Sequence, residues 1–208
     1  DCVVAFASSH YQTAERQYRT PLEYGVQYPP YKQFTVTAAG SYVLGWVGGD
    51  VWITHATFGK VIDLGVTDPN DLGSAMAPAA AEIILQNFKD LNRGLADYEL
   101  ILTGDLGITG KKVLTSLLEE KNIMADEKLM DCGGEIFGGQ KQYGSGGSGV
   151  GASASFFGSV IIPRIKAGEF SRILFVGTGA LLSALTVKQK ESIPAIAHAI
   201  VVEKIPGG

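Results

Sequence analysis

Apolar positions along this chain change their period several times, and each change marks an element. The opening "DCVVAFA" (1–7) is almost continuously apolar, as in a strand covered on both faces. "SYVLGW" (41–46) and "DVWITHATF" (50–58) read as two more strands, separated by a turn at Gly48-Gly49. The period then lengthens. Met76, Ala80, Ile83, Ile84, Phe88 and Leu91 recur at helical spacing, and Gly94 stands where a C-cap glycine would end that helix. "YELILTGDLG" (98–107) is a short apolar strand running into a polar turn. "TGKKVLTSLLEEKN" (109–122) is an amphipathic helix through Val113, Leu114, Leu117 and Leu118. A helix over about 152–167, closed by Gly168, and a buried strand, "SRILFVGTG" (171–179), follow. "ALTVKQ" (184–189) and "IPAIAHAIVVEK" (193–204) are read as the last two strands.

Strands alternating with helices predict an α/β layered sheet, in which ligands gather at the carboxyl ends of the strands. "LTGDLG", "GSGGSG" and "FVGTG" all lie at such junctions, and three polar, glycine-bearing loops are enough to wall one pocket. An edge as apolar as residues 1–7 wants neighbours on both sides. The chain therefore reads as a fragment or a processed product whose missing first part covers these strands.

Composition sets the outer limits. The 208 residues, 46% of them hydrophobic, suffice for one core or two closely joined ones. A net charge of −4 offers no basic footprint for nucleic acid. No apolar run approaches the roughly 18 residues of a membrane span, and no signal peptide is recognisable. Cys2 and Cys132 show neither a CxxC nor a zinc spacing, so both are expected to be free thiols.

The richest stretch chemically is "GGSGVGASASFFGSVIIPRIKAGEF" (146–170). Glycine lets the backbone approach a ligand closely, and the helix start behind it offers N–H groups to an anion. A phosphate, an acyl group under attack and an anion that is merely held are all chemically open here. The loop lacks the GK[ST] ending of a P-loop and the strand spacing of a dinucleotide fingerprint, which argues against a nucleotide. His10 is open between a loop role and a pocket role. His55 and His198 alternate within strands and read as packed or sheet-face residues. Cys132, in "MDCGGEIFGG", is not expected to lead a helix, so nothing lowers its pKa and it reads as structural.

These residues carry a resemblance. "GVGAS" opening a helix, followed about twenty residues later by "ILFVGTG", is similar to the end of the thiolase/ketoacyl-synthase fold, and "TVTAAGSYVL" (35–44) resembles the strand closing its N-terminal half. More narrowly, "SSHYQTAERQYRTPLEYG" (8–25) together with "TVTAAG" resembles the stage V sporulation protein AD family. The resemblance spans essentially the whole chain. It implies a thiolase-like layered αβαβα sandwich, with mixed sheets flanked by helices, of which this chain looks like the C-terminal two thirds. Residues 1–48 would be a remnant of the N-terminal half and residues 49–208 the C-terminal half. It also implies a homodimer paired through the N-terminal half.

Thiolase-fold catalysis needs an activated cysteine and His/His or His/Asn partners. Where the resembled enzymes place the His or Asn of "GHP" or "GNT", this chain has Ser148. Where the synthases place "PHQAN", it has "TGDLG", with Gly104 and Asp105, and where thiolases place a second cysteine it has Phe175. Serine cannot replace an imidazole in acid–base work near neutral pH, so the expectation is a binding cup and not an enzyme. The family resemblance implies dipicolinic acid (pyridine-2,6-dicarboxylate), free or as its calcium chelate, taken up into the developing spore. The expected binding set is Asp105, Ser148, Gly149, Ser153, Gly177 and Thr178, with His10, Arg16 and Arg19. The helix start at 151–153 would supply N–H donors, and the two arginines would fork one carboxylate. No cofactor is expected beyond calcium carried by the ligand. The implied partners are the other stage V sporulation A membrane proteins, at the spore inner membrane, for a chain that is itself soluble and cytoplasmic. A thiolase-fold acyltransferase or ketoacyl synthase acting on acyl thioesters is the alternative.

Overall fold

The computed structural model describes residues 2–13, 28–137 and 139–205. Its strands are β1 (Cys2–Ser9), β2 (Phe34–Thr35), β3 (Ala38–Gly45), β4 (Val51–Thr57), β5 (Leu100–Thr103), β6 (Leu129–Asp131), β7 (Gly147–Ser148), β8 (Arg172–Ala180) and β9 (Ala195–Lys204). The helices that matter for the site are α1 (Leu72–Asp90), α2 (Gly107–Glu119), α3 (Cys132–Ile136), α4 (Val150–Phe156), α5 (Ile162–Ala167) and α6 (Ala184–Gln189).

Five strands form a mixed sheet in the order β4-β9-β8-β5-β6, in which β5 runs parallel to β6 and β8 while β9 is antiparallel to β8 and β4. One face is covered by α1 and α2, whose Met76, Ile83, Ile84, Leu114 and Leu118 pack with Ile101, Leu174 and Val201 of the sheet. Burying each such side chain fully stabilises by about 1.5–3 kcal/mol. The opposite face holds Leu100, Leu102, Ile173 and Val202 against Phe157, Ile161 and Ile165 of the α4–α5 segment. On the far side of α4 lies a second sheet, the antiparallel pair β1–β3. Helix, sheet, helix and sheet therefore follow one another as four layers, the mixed α/β class that the periodicity predicts.

The second sheet sits close on α4 because a glycine on each side meets the residues of the other. A Cβ on Gly151 would lie 2.2 Å from the Ala38 carbonyl oxygen, and one on Gly40 would lie 2.7 Å from the Ala154 backbone. Both distances are closer than side chains tolerate, so glycine is required at this crossing.

Three boundaries differ from the sequence reading. The first long helix ends at Asp90, not at Gly94: Asn92 takes the left-handed conformation (φ 50°) and the Arg93 N–H reaches back to the Phe88 carbonyl. Asn tolerates that conformation almost as glycine does, and the Schellman-type closure follows. "ALTVKQ" is not a strand but α6, because Ser183 and Thr186 cap its start reciprocally and Lys190 closes it in the left-handed region. Its β-branched residues suggested extension, and the cap overrides them. The expected helix over 152–167 runs from Val150 to Ala167 and is interrupted by a π turn at Phe157–Ile161. Pro163 cannot donate a backbone hydrogen bond and crowds the carbonyl four residues back, at Ser159, whose own hydroxyl bonds the Ser155 carbonyl. The widened turn accommodates both. Gly168 then closes α5 with φ 84°, as the spacing predicts.

Candidate functional site

Asp105 follows the carboxyl end of β5, and its carboxylate organises the site. Oδ1 accepts the Thr178 hydroxyl at 2.9 Å, and Oδ2 accepts the Ser148 hydroxyl at 3.0 Å and the Gly149 N–H at 2.8 Å. Thr178 lies on β8, beside β5. Ser148 is placed by the two-residue parallel pairing of β7 with β2, in which Thr35 stands opposite Ser148. Gln33, next to β2, ties the same loops from below: its Nε2 donates to the Asp105 carbonyl at 2.7 Å and the Gly147 carbonyl at 3.1 Å. Gly149 has φ 99°, a conformation that glycine adopts without strain, and this turns its N–H toward Asp105.

A second carboxylate, buried Asp131, fixes the loop that carries Asp105. It accepts the Leu106, Gly107 and Gly134 N–H groups, each at 2.8 Å, and the Thr103 hydroxyl at 2.7 Å. Burial pushes its pKa up to about 6, opposed by the Thr103 and backbone hydrogen bonds; the neighbouring Asp105 charge adds to the rise. Cys132 does begin a short helix, α3, contrary to the sequence expectation. The thiol is nevertheless fully buried, and burial, with the Asp131 and Asp105 charges, pushes its pKa up, so it is poorly placed to react.

Two cavities meet at this cluster and share Asp105, Gly149, Val150 and Thr178. The larger, of about 880 Å³, is lined by the hydroxyl-bearing residues Ser8, Ser9, Thr13 and Thr37 and by His10; Ser9 Oγ donates to the Val36 carbonyl and Thr37 Oγ1 accepts the Tyr11 N–H. The smaller, of about 340 Å³, is more aromatic, with Phe6, Tyr42, Phe157 and Phe175 beside Ser153 and Gly177.

Most of the residues expected from the sequence are therefore brought together. Asp105, Ser148, Gly149 and Thr178 form one hydrogen-bonded cluster, while Ser153 and Gly177 line the smaller cavity and exposed His10 the larger one. Arg16 and Arg19 lie outside the described residues. Two details differ. The Ser148 hydroxyl is buried and donates to Asp105 instead of standing free toward a ligand. The helix start is also less open than expected: the Gly151 N–H is bonded to Ser9 Oγ at 3.0 Å, and that of Ala152 to the Gly149 carbonyl. His55 and His198 stay on the sheet, His55 beside Thr54 Oγ1 at 3.0 Å and His198 accepting the Gly59 N–H at 3.1 Å. Sequence reasoning missed Ser9, Gln33 and Asp131.

Residues 1–203 match the model of the family described as stage V sporulation protein AD. The stage V sporulation protein AD of Bacillus subtilis (strain 168) is 49% identical over 204 residues, 98% of this chain and 60% of that relative. The chain belongs to the stage V sporulation protein AD family. It spans about three fifths of the length of this curated relative. Similar solved structures are thiolase-like enzymes. The tetronic acid condensing enzyme AbyA1 is 14% identical, with a TM-score of 0.47 over 97% of this chain and 57% of that one. The acetyl-CoA acetyltransferase of Bacillus anthracis is 12% identical, with a TM-score of 0.46 over 84% and 38%. The 3-oxoacyl-[acyl-carrier-protein] synthase III of Aquifex aeolicus VF5 is 14% identical, with a TM-score of 0.45 over 79% and 48%.

Proposed function

We propose that this chain serves sporulation by binding dipicolinic acid, free or as its calcium chelate, for uptake into the developing spore, and that it does not catalyse acyl transfer. The observation that carries the reading is the pairing of Ser148 with Asp105 at the junction of two cavities. At the positions where the resembled enzymes hold an imidazole or an amide, this chain has a hydroxyl that is donated to a carboxylate. Such a pair orients and holds; it contains no imidazole to shuttle a proton. Membership of the sporulation family supports the same direction.

The ligand chemistry fits what surrounds the cluster. Dipicolinate is flat, aromatic and dianionic, and needs donors at two carboxylates beside an apolar slot. Ser153 and the hydroxyl-bearing residues Ser8 and Thr13 of the larger cavity are the donors the proposal uses, and the smaller cavity is the slot. Asp105 repels a bare dianion and suits a calcium chelate, because calcium takes carboxylate and hydroxyl oxygens readily. Arg16 and Arg19 belong to the proposal as a fork for one carboxylate. So do a homodimer and docking to the other stage V sporulation A membrane proteins at the spore inner membrane. Among the described residues no helix is long and apolar enough to cross a membrane.

Calorimetric titration with dipicolinate, with and without calcium, and with an acyl-CoA tests this reading. Saturable dipicolinate binding that calcium strengthens is expected, with Asp105→Asn losing the calcium effect and leaving the free dianion unchanged or bound more tightly. An acyl-CoA that is bound and turned over, with no heat from dipicolinate, would establish the acyltransferase alternative instead.

A further inference from the structure

The smaller cavity has an aromatic wall that the hydrogen-bonded cluster does not use. Phe157 and Phe175 stack with ring centroids 4.8 Å apart and planes 8° from parallel, and Tyr42 closes on Phe157 at 5.9 Å. The three rings come from three layers: Tyr42 from β3, Phe157 from the start of the π turn, and Phe175 from β8. Each is fixed in place. The Tyr42 hydroxyl is bonded to the Ala154 carbonyl, so toward the cavity it offers a ring and not a free polar group. Gly158 leaves room for it, since a Cβ there would lie 3.0 Å from Tyr42 Oη. Phe157 is 8% exposed and packs in the core, whereas Phe175 is half-buried and open on the cavity side. The opposite rim of the same cavity is polar, with Asp105, Ser153 and Thr178.

From this arrangement we infer that the slot selects planar aromatic rings bearing carboxylates, with the ring laid against Phe175 and a carboxylate at the Ser153 hydroxyl, which otherwise makes only a 3.4 Å contact with the Val150 carbonyl. The inference rests on the dipicolinate reading and locates the ring within it. A pyridine ring drawn electron-poor by two carboxylates stacks well on the electron-rich face of a phenyl ring. A saturated ring with the same two carboxylates is puckered and gains only from burial of apolar area. Phe175 is thus the residue that distinguishes flat from puckered diacids. The prebuilt Phe157–Phe175 stack lowers the ordering cost, because the wall does not have to form when the ligand enters.

The test is calorimetry at fixed calcium on the unchanged protein, Phe175→Leu and Phe175→Tyr, using dipicolinate and cis-cyclohexane-1,3-dicarboxylate, a saturated diacid with no basic ring nitrogen, as probes. Phe175→Leu keeps apolar volume and removes the ring; thermal melting checks that it folds. Dipicolinate should bind about three- to tenfold more weakly to Phe175→Leu, the saturated diacid should change by less than about twofold, and Phe175→Tyr should restore dipicolinate binding. Dipicolinate affinity that is the same in Phe175→Leu and the unchanged protein overturns the ring site and leaves the dipicolinate reading standing. Equal loss for both diacids also overturns it, because the residue would then act through general packing. An unchanged protein that binds neither diacid removes the dipicolinate reading and the ring site with it.

Discussion

The Thr178 hydroxyl donates to Asp105 Oδ1 at 2.9 Å across 73 positions of sequence, and so fastens β8 to the loop that follows β5. Ser148 and Gly149 complete the set on Oδ2. Asp105→Ala leaves two hydroxyls and one N–H without their acceptor. The expected cost is about 1–3 kcal/mol, a fall of about 3–10 °C in melting temperature for a chain of this size. Ser148→Ala removes one donor only. It should melt within about 3 °C of the unchanged protein, yet bind the calcium chelate of dipicolinate about tenfold more weakly, since the carboxylate that faces the calcium is then held less firmly. Calorimetry and thermal melting on the same samples separate the two effects.

Two glycines of the site should respond in opposite ways. A Cβ at Gly177 would meet nothing nearer than the His198 carbonyl oxygen at 3.9 Å, whereas one at Gly151 would lie 2.2 Å from the Ala38 carbonyl oxygen. Gly177→Leu should fold normally and fill part of the smaller cavity, cutting dipicolinate binding more than about tenfold. Gly151→Ala should push β1–β3 off α4 and cost about 1–3 kcal/mol whatever the ligand. A Gly177→Leu protein that melts far below the unchanged one would show that this position is packed, not open.

Stability should carry a signature of Asp131. Its folded pKa is about 6, against an ordinary value of 3.8. Between those two values the folded chain keeps a proton that the unfolded chain has released. The contribution is therefore fully present below about pH 3.8 and is lost as the pH rises through about 6. Asp131→Asn cannot titrate and leaves the Leu106 N–H facing an amide nitrogen or an emptier partner. It should be less stable throughout, by a margin that is widest near pH 4 and narrows by about pH 8. Melting temperatures of both proteins across that range give the margin directly; a constant margin would mean that the pKa of Asp131 is the same in the folded and unfolded chain.

The β1–β3 sheet exposes Val4, Phe6 and Val43 on one face, with Val4 directly opposite Val43. An exposed apolar patch of this kind favours association. Sedimentation of the 208-residue chain should show concentration-dependent self-association. A clean monomer at every loading would count against it.

Periodicity made the large elements legible, because α1 and β8 bury one face or both and the apolar spacing records this. It failed at α6, where Thr186 and Val187 resemble a strand locally and only the reciprocal cap with Ser183 says otherwise. At the site, Asp105, Ser148 and Thr178 were readable as polar residues in glycine-bearing loops at strand ends. Their shared hydrogen bonds were not, and neither were Ser9 and Gln33, whose partners lie 142 and 72 positions away. Contacts of that range leave no local pattern. Asp131 was hidden for the same reason: an acidic residue before "CGGEI" reads as a turn, and only the fold brings Leu106 and Gly107 to it.

That shared acceptor has a kinetic consequence. The Leu106, Gly107 and Gly134 amides all end on one side chain, so a single movement of that side chain releases all three. In deuterated water the three amide protons should exchange together, as one opening unit. Gly110, bonded within its own helix to Leu106, need not follow them. The loop that carries Asp105 would thus open as a latch and not fray residue by residue.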